Sequence, residues 1–145
     1  MRLEEKHILP YQPYGLKFLI IKLDRFRLND YWNNVSESKV HSFNLGMLDV
    51  LMNGFEYYPN DPHLRSVCAK PILRPLSDLE KKVKTPDGFE RVIYDELSLY
   101  SAQKFDKDIG LEEWWAKDVE LLKAYHVDVF GLIESGLAID INDLK

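Results

Sequence analysis

The spacing of hydrophobic positions changes along the chain, and the change predicts how it is organised. Leu16 to Leu23 reads LKFLIIKL, with apolar residues on both faces at its centre. A short run of branched and aromatic residues behind the stiff lead-in Pro10-Tyr11-Gln12-Pro13-Tyr14-Gly15 predicts a buried strand rather than a helix. Arg25-Phe26-Arg27-Leu28 alternates, and is expected to continue that strand or to pair with it as a hairpin. Ser38 to Phe43 alternates more weakly and is a further strand candidate. Residues 44–54 fit two patterns: Leu45, Leu48 and Met52 suit one helical face, while Leu48 and Val50 suit a strand. Asn53-Gly54 would end either one. Residues 57–63 read as loop. Leu64 to Leu73 reads as extended, and Pro71 demotes it to an edge or irregular strand.

Beyond Pro75, Ser77 and Glu80 fit the cap of a short helix. Pro86-Asp87-Gly88 lies between alternating segments; proline presets one backbone dihedral and glycine accepts a positive one, so residues 83–93 are expected to form a hairpin. Asp95 to Phe105 reads helical. Trp115, Val119, Leu122, His126, Val129 and Ile133 recur at steps of three and four, which predicts one helical stripe facing the core or a partner subunit. Gly131 reads as a break, Gly136 as a stop, and Leu137 to Ile141 as a short extended tail. The expected fold class is α+β in a single domain, residues 1–145. A small, mostly antiparallel β portion, either a barrel or an open sheet, covers about 14–93, and C-terminal helices follow over about 94–136.

Composition adds exclusions. A chain of 145 residues has the size of one ordinary domain, and a second core would be cramped. Hydrophobic residues at 46% and charged residues at 30% exclude wholesale disorder. No apolar run approaches the length of a membrane-spanning helix. The net charge of -5 is unevenly placed: residues 1–72 hold 9 basic and 8 acidic side chains, residues 73–145 hold 10 and 16. Duplex binding needs a cationic excess to displace counterions from phosphates, so no duplex nucleic-acid partner is expected. Cys68 is the single cysteine, which excludes an internal disulfide and points to a reducing compartment. The acidic N-terminus lacks the apolar stretch of a signal peptide. The chain is therefore expected to be cytoplasmic, with no membrane partner.

Candidate chemistry is sparse. Asp106, Asp108, Gly110, Glu112 and Glu113 resemble the start of a calcium loop, but the sixth and twelfth positions are Leu111 and Lys117 instead of glycine and glutamate. Acids ahead of a helix are the ordinary account. His7, His41, His63 and His126 form no metal-ligand spacing with one another or with Cys68, so neither metal nor cofactor is expected. His126 reads as a hydrogen-bonded core histidine and Cys68 as a buried thiol. Phosphate loops, nucleophile elbows and zinc-protease motifs are absent. What remains are the aromatic pairs Tyr57-Tyr58 and Trp114-Trp115, and a cross-turn pair of Arg74 and Asp78. Adjacent residues cannot share one helical face, so one Trp is expected in the core and the other partly outside. Arg74, Asp78, Tyr57, Tyr58 and Trp114 are the candidate binding residues.

Two stretches carry a resemblance. Lys70 to Leu79 reads KPILRPLSDL, and His126 to Asn142 reads HVDVFGLIESGLAIDIN. With Pro13-Tyr14-Gly15-Leu16-Lys17, they resemble small uncharacterised proteins encoded in phage and prophage regions of gut bacteria. The resemblance implies a genomic setting and no catalytic residues. It favours a non-enzymatic phage or prophage accessory protein acting on a protein partner, either a host factor or a virion component. Two alternatives stay open. One is a binder of a nucleotide or similar anion, using Arg25, Arg27, Arg65 and Arg74. The other is a small hydrolase or nuclease with scattered carboxylates. Self-association is also left open.

Overall fold

Strand β1 (Lys17–Leu23) forms where the sequence analysis placed it. Phe18 and Ile20 are buried on one face, while Lys17 and Ile21 are exposed on the other. The computed structural model describes residues 2–144, and in it β1 is an inner strand. β2 (Val40–Ser42) pairs antiparallel on one side, with Leu19 opposite Val40. β3 (Val67–Leu73) pairs antiparallel on the other, with Phe18 opposite Pro71 and a register shift between Ile20 and Lys22. β6 (Ile139–Asp140) then adds in parallel beside Ile72 and Leu73. The sheet has the order β2-β1-β3-β6 and is open, so the barrel alternative does not apply. The fold is α+β.

β3 departs from expectation because it is an interior strand despite Pro71. The β6 ladder registers only with Ile72 and Leu73, so Pro71 lies beyond its pairs and has a partner on the β1 side alone. Residues 25–28 are a turn instead of a strand. The Asp24 carboxylate accepts from Phe26 N at 3.2 Å, and Arg27 N donates to the Asp24 carbonyl at 3.2 Å. The ambiguous segment is a helix, α2 (Leu45–Tyr57), in the middle of the β-rich half. Asn44 caps it by accepting from Met47 N at 2.9 Å, and Met47, Leu48, Leu51 and Phe55 are buried. A four-residue helix, α1 (Glu5–Ile8), precedes the sheet.

In the second half, the hairpin stands as expected. β4 (Lys82–Lys84) pairs with β5 (Glu90–Val92). Gly88 closes the turn at φ +90°, and its N–H donates to Thr85 O at 2.9 Å. The segment after Pro75 is one 3-10 turn, Leu76–Asp78, with no side-chain cap from Ser77. Asp95 to Phe105 is not one helix. Ile93–Glu96 is a 3-10 turn, and α3 (Leu99–Asp106) begins only after Ser98, whose hydroxyl accepts from Ser101 N. α4 (Ala116–Ala124) ends well before residue 136. His126 takes φ +60°, and the Asp128 carboxylate accepts from Phe130, Leu132 and Ile133 N–H at 2.9–3.3 Å. A carboxylate that collects those amides competes with helical bonding, so the apolar spacing of Val129 and Ile133 belongs to a turn.

Buried apolar side chains form two clusters. The larger joins the sheet to α2 and includes Phe18, Ile20, Trp32, Phe43 and Leu51. The smaller contains Leu79, Val83, Ile93, Trp114, Leu122 and Val127. Val129 packs on both.

Candidate functional site

The three stretches that carry the resemblance meet at the seam between the clusters. Arg74 N donates to His126 O, and Asp128 N donates to Arg74 O, each at 2.8 Å. His126 Nε2 donates to the Tyr14 carbonyl at 2.6 Å. Burial, helped by the positive charges of Arg74 and Lys17 and opposed by that carbonyl, moves the imidazole below its ordinary range. His126 is thus hydrogen-bonded as expected, but half-buried. Tyr11 buries its hydroxyl here, donating to Val127 O at 2.7 Å and accepting from Val129 N at 3.0 Å.

Arg74 and Asp78 pair as the sequence suggested, with Nη1 3.6 Å from Oδ2, but their side chains are 7% and 3% exposed. The pair is buried, so its net contribution depends on how completely hydrogen bonds compensate its desolvation. Arg74 Nη2 donates to Lys84 O at 3.0 Å, and Nε has no hydrogen-bond partner among the described residues. Asp78 accepts from Asn142 Nδ2 at 2.8 Å and Lys81 Nζ at 3.1 Å. Burial works against the ionised carboxyl, but these bonds and the nearby charges outweigh it and hold Asp78 below the usual carboxylate range. The arrangement ties β3, the hairpin and the C-terminal segment together.

The other arginines serve the backbone in separate places. Arg25 donates to the Trp32 and Val35 carbonyls. Arg27 donates to Leu64 O and pairs with Asp24. Arg65 donates to the Tyr58 and Pro59 carbonyls and lies over the Phe55 ring.

Among the aromatic candidates, Tyr57 is 71% exposed and Tyr58 39%, at the end of α2. Trp114 is buried: its indole N–H donates to Ile109 O at 3.1 Å, and it packs edge-on to Phe105. The exposed indole is Trp115, which the periodicity had placed on the buried stripe. Trp115 is the residue before α4 begins, and its N–H donates to Ser101 Oγ at 3.1 Å. Beneath it, buried Asp118 accepts from Ser98 Oγ and Ser101 Oγ at 2.5 Å and from Ser98 N at 3.2 Å. Burial opposes its ionised form; the serine bonds prevail and keep its carboxyl low. This network locks the start of α3 to the start of α4. The two locked segments carry Leu99, Tyr100 and Trp115, all at least half exposed. Lys104 lies 5.0 Å over the Tyr100 ring and Lys117 5.3 Å over the Trp115 ring. Sequence reasoning missed this link between the starts of α3 and α4. Its available signals were Ser98 as a cap and Asp118 in the first turn of a helix.

Two surface depressions are also present. One lies between Tyr14 and the outer side of α4 and is mainly apolar. The other lies between α1 and α2 and is mainly polar. Cys68 is half-buried on β3 instead of fully buried. Asp106 accepts from Tyr94 Oη at 2.8 Å, and among the described residues no group of three or more His, Cys, Asp or Glu is placed to hold a metal ion. No helix among them is long and apolar enough to cross a membrane.

A scan against protein-family models finds no match to this chain, and searches of curated proteins and of solved structures find none either.

Proposed function

We propose that this chain is a non-enzymatic accessory protein of a phage or prophage that works in the host cytoplasm by binding a protein. The setting comes from the resemblance of the segments at residues 13–17, 70–79 and 126–142. The observation that supports binding is the exposure of Leu99, Tyr100 and Trp115 on the linked starts of α3 and α4. Three large side chains stand in solvent on backbone fixed from below by Ser98, Ser101 and Asp118. Exposed aromatic residues on prearranged backbone are the usual anchors of an interface, because little order is lost when they dock. Arg74, Asp78 and Trp114 act in this reading as supports for the fold, and Tyr57 and Tyr58 stand outside this group of exposed residues.

The test is affinity capture from cells carrying the phage, using wild type, a Tyr100→Ala/Trp115→Ala double variant and Phe89→Ala as an exposed control. A protein retained by wild type and Phe89→Ala but lost by the double variant is the expected result. Identical retention by all three refutes the role of Tyr100 and Trp115. Submicromolar, salt-sensitive binding of wild type to random duplex DNA would refute the protein-partner reading at its root.

A further inference from the structure

His7 is a buried histidine that works as a hydrogen-bond acceptor. It lies in α1, only 4% exposed, and its Nδ1 accepts from the Glu4 N–H at 3.0 Å. A backbone amide can only donate, so Nδ1 carries no proton in the folded chain. The ring is therefore the neutral form with its hydrogen on Nε2. The same bond caps α1, because it satisfies the amide of the residue ahead of the helix. The ring also meets Phe130 edge-on, with centroids 5.4 Å apart, and Phe130 belongs to the turn that Asp128 organises. One side chain thus joins α1 to a segment more than a hundred residues away.

The charges around the ring are already engaged. On its own segment, the Glu4 carboxylate pairs with Lys6 Nζ at 3.3 Å and lies 4.0 Å from Arg2 Nε. On the facing turn, the Asp128 carboxylate accepts from the N–H groups of Phe130, Leu132 and Ile133. Tyr11, edge-on to Phe130, has its hydroxyl bonded to Val127 O and Val129 N. From α2, Asp49 and Glu56 line the polar depression together with Arg2, Glu4, Glu5 and Lys6. A second ring proton would set Nδ1–H against the Glu4 N–H, donor against donor, with Glu4 and Asp128 both committed elsewhere. Burial, and then Lys6, accordingly hold the imidazole below its ordinary value against the pull of those two acids.

We propose that His7 is an acid-sensitive latch: neutral, it holds the segment from Arg2 to His7 in place, and on taking up a proton it uncaps α1 and lets that segment leave while the sheet stays folded. Ile8 and Tyr11, both fully buried, anchor the chain at the other end of the movement. Leu3, which lines the depression with Met52 and Phe55, is the buried apolar contact given up. α1 has four residues, too few to persist as a helix once its cap is lost. The released ring titrates near the ordinary histidine value and the docked ring below it. Each pH unit between the two therefore shifts the balance toward release by up to about tenfold. The latch uses none of the residues assigned to partner binding.

NMR of the whole 145-residue chain, titrated from about pH 8 to about pH 5, follows the latch directly. Ring nitrogen shifts should show His7 neutral, with its hydrogen on Nε2, at the upper end. As pH falls below about 6.5, amide order from Leu3 to His7 should be lost in step with the titration of that ring, while Phe18 and Ile20 of β1 keep theirs. His7→Gln keeps an acceptor three positions after Glu4 and takes up no proton, so its segment should stay ordered over the whole range. His7→Lys carries the charge without the acceptor, and its segment should be loose from the start. His126→Gln removes the other histidine of lowered proton affinity and should leave the step in place. A wild type ordered throughout, a His7→Gln variant that loosens over the same range, a His7→Lys segment as ordered as wild type, or a step abolished by His126→Gln overturns the proposal.

Discussion

The two hydrophobic clusters are built on different principles. The larger one is almost wholly apolar: Phe18 stacks on Phe43 with centroids 4.5 Å apart, Trp32 meets Phe43 edge-on, and sheet and α2 supply long regular surfaces. The smaller one gathers side chains from a 3-10 turn, a three-residue strand and α4. Apart from His7, every buried polar or charged residue described lies at or beyond Arg74. Asp78, Asp118 and Asp128 each collect donors from short or irregular segments. Short elements leave unpaired backbone groups at their ends; Asp118 takes the Ser98 N–H and Asp128 three backbone N–H groups, while Asp78 collects side-chain donors. Regular structure holds one region together, and side-chain hydrogen bonding the other.

The largest effects should come from the apolar centres. Trp32→Ala should cost about 3–5 kcal/mol by emptying the larger cluster. Leu122→Ala, fully buried in the smaller one, should cost about 2–5 kcal/mol. Set against the roughly 5–15 kcal/mol of a domain this size, each should lower the melting temperature sharply. The comparison is sharpened by amide exchange. Leu122→Ala should release α3, α4 and the hairpin while β1 and β3 stay protected, and uniform loss of protection would mean the two clusters unfold as one.

Asp118→Ala comes next. It strands Ser98 N–H and two serine hydroxyls, a loss of about 1–3 kcal/mol for unsatisfied buried groups. Calorimetry should register the loss. No measurable change would mean that water replaces the carboxylate and that the second region does not depend on it.

The contrast explains what the sequence made visible. β1 and the β4–β5 hairpin were readable because their causes are local: an apolar run in one case, and Pro86-Asp87-Gly88 in the other. α2 was half readable, since Asn44 could cap but Leu48 fits either period. The stripe through Trp115 and Ile133 failed at both ends for stated reasons. Trp115 precedes the first helical residue, so helical spacing does not govern its direction. At the other end, His126 and Asp128 turn the chain. The contacts of Arg74 with His126 and of Asp78 with Asn142 join residues 52 and 64 positions apart in sequence. No periodicity encodes those contacts, and so neither the burial of Arg74 and Asp78 nor the link between the starts of α3 and α4 could be read in advance.

Acid should act on the fold in two separate pH windows. His7 and His126 are held below their ordinary value of 6.5, His7 chiefly by burial and then by Lys6. Between the folded and unfolded values the unfolded chain binds more protons, so stability rises with pH. Their contribution is fully present above about 6.5 and is lost as pH falls below it. Asp78 and Asp118, depressed from 3.8, act with the same sign in a lower window, losing their contribution only as pH falls through their folded values. The melting temperature should therefore decline in two stages. His126→Gln should flatten the upper stage and leave the lower one, and an unchanged upper stage would remove His126 from the account.

The smallest expected effect tests which side of α4 faces water. Glu120 is exposed and pairs with Lys123 at 2.9 Å along the helix surface. Exposed pairs of this kind contribute about 0–1 kcal/mol, so Glu120→Ala should move the melting temperature little. Alanine also favours helix slightly more than glutamate, which offsets part of that loss. Leu122, two residues on, lies on the buried side, so the two substitutions have opposite consequences within one turn of the same helix. A Glu120→Ala variant as unstable as Leu122→Ala would mean that α4 packs through the other side. The smaller cluster would then lose its centre, and the depression beside α4 its place on the surface.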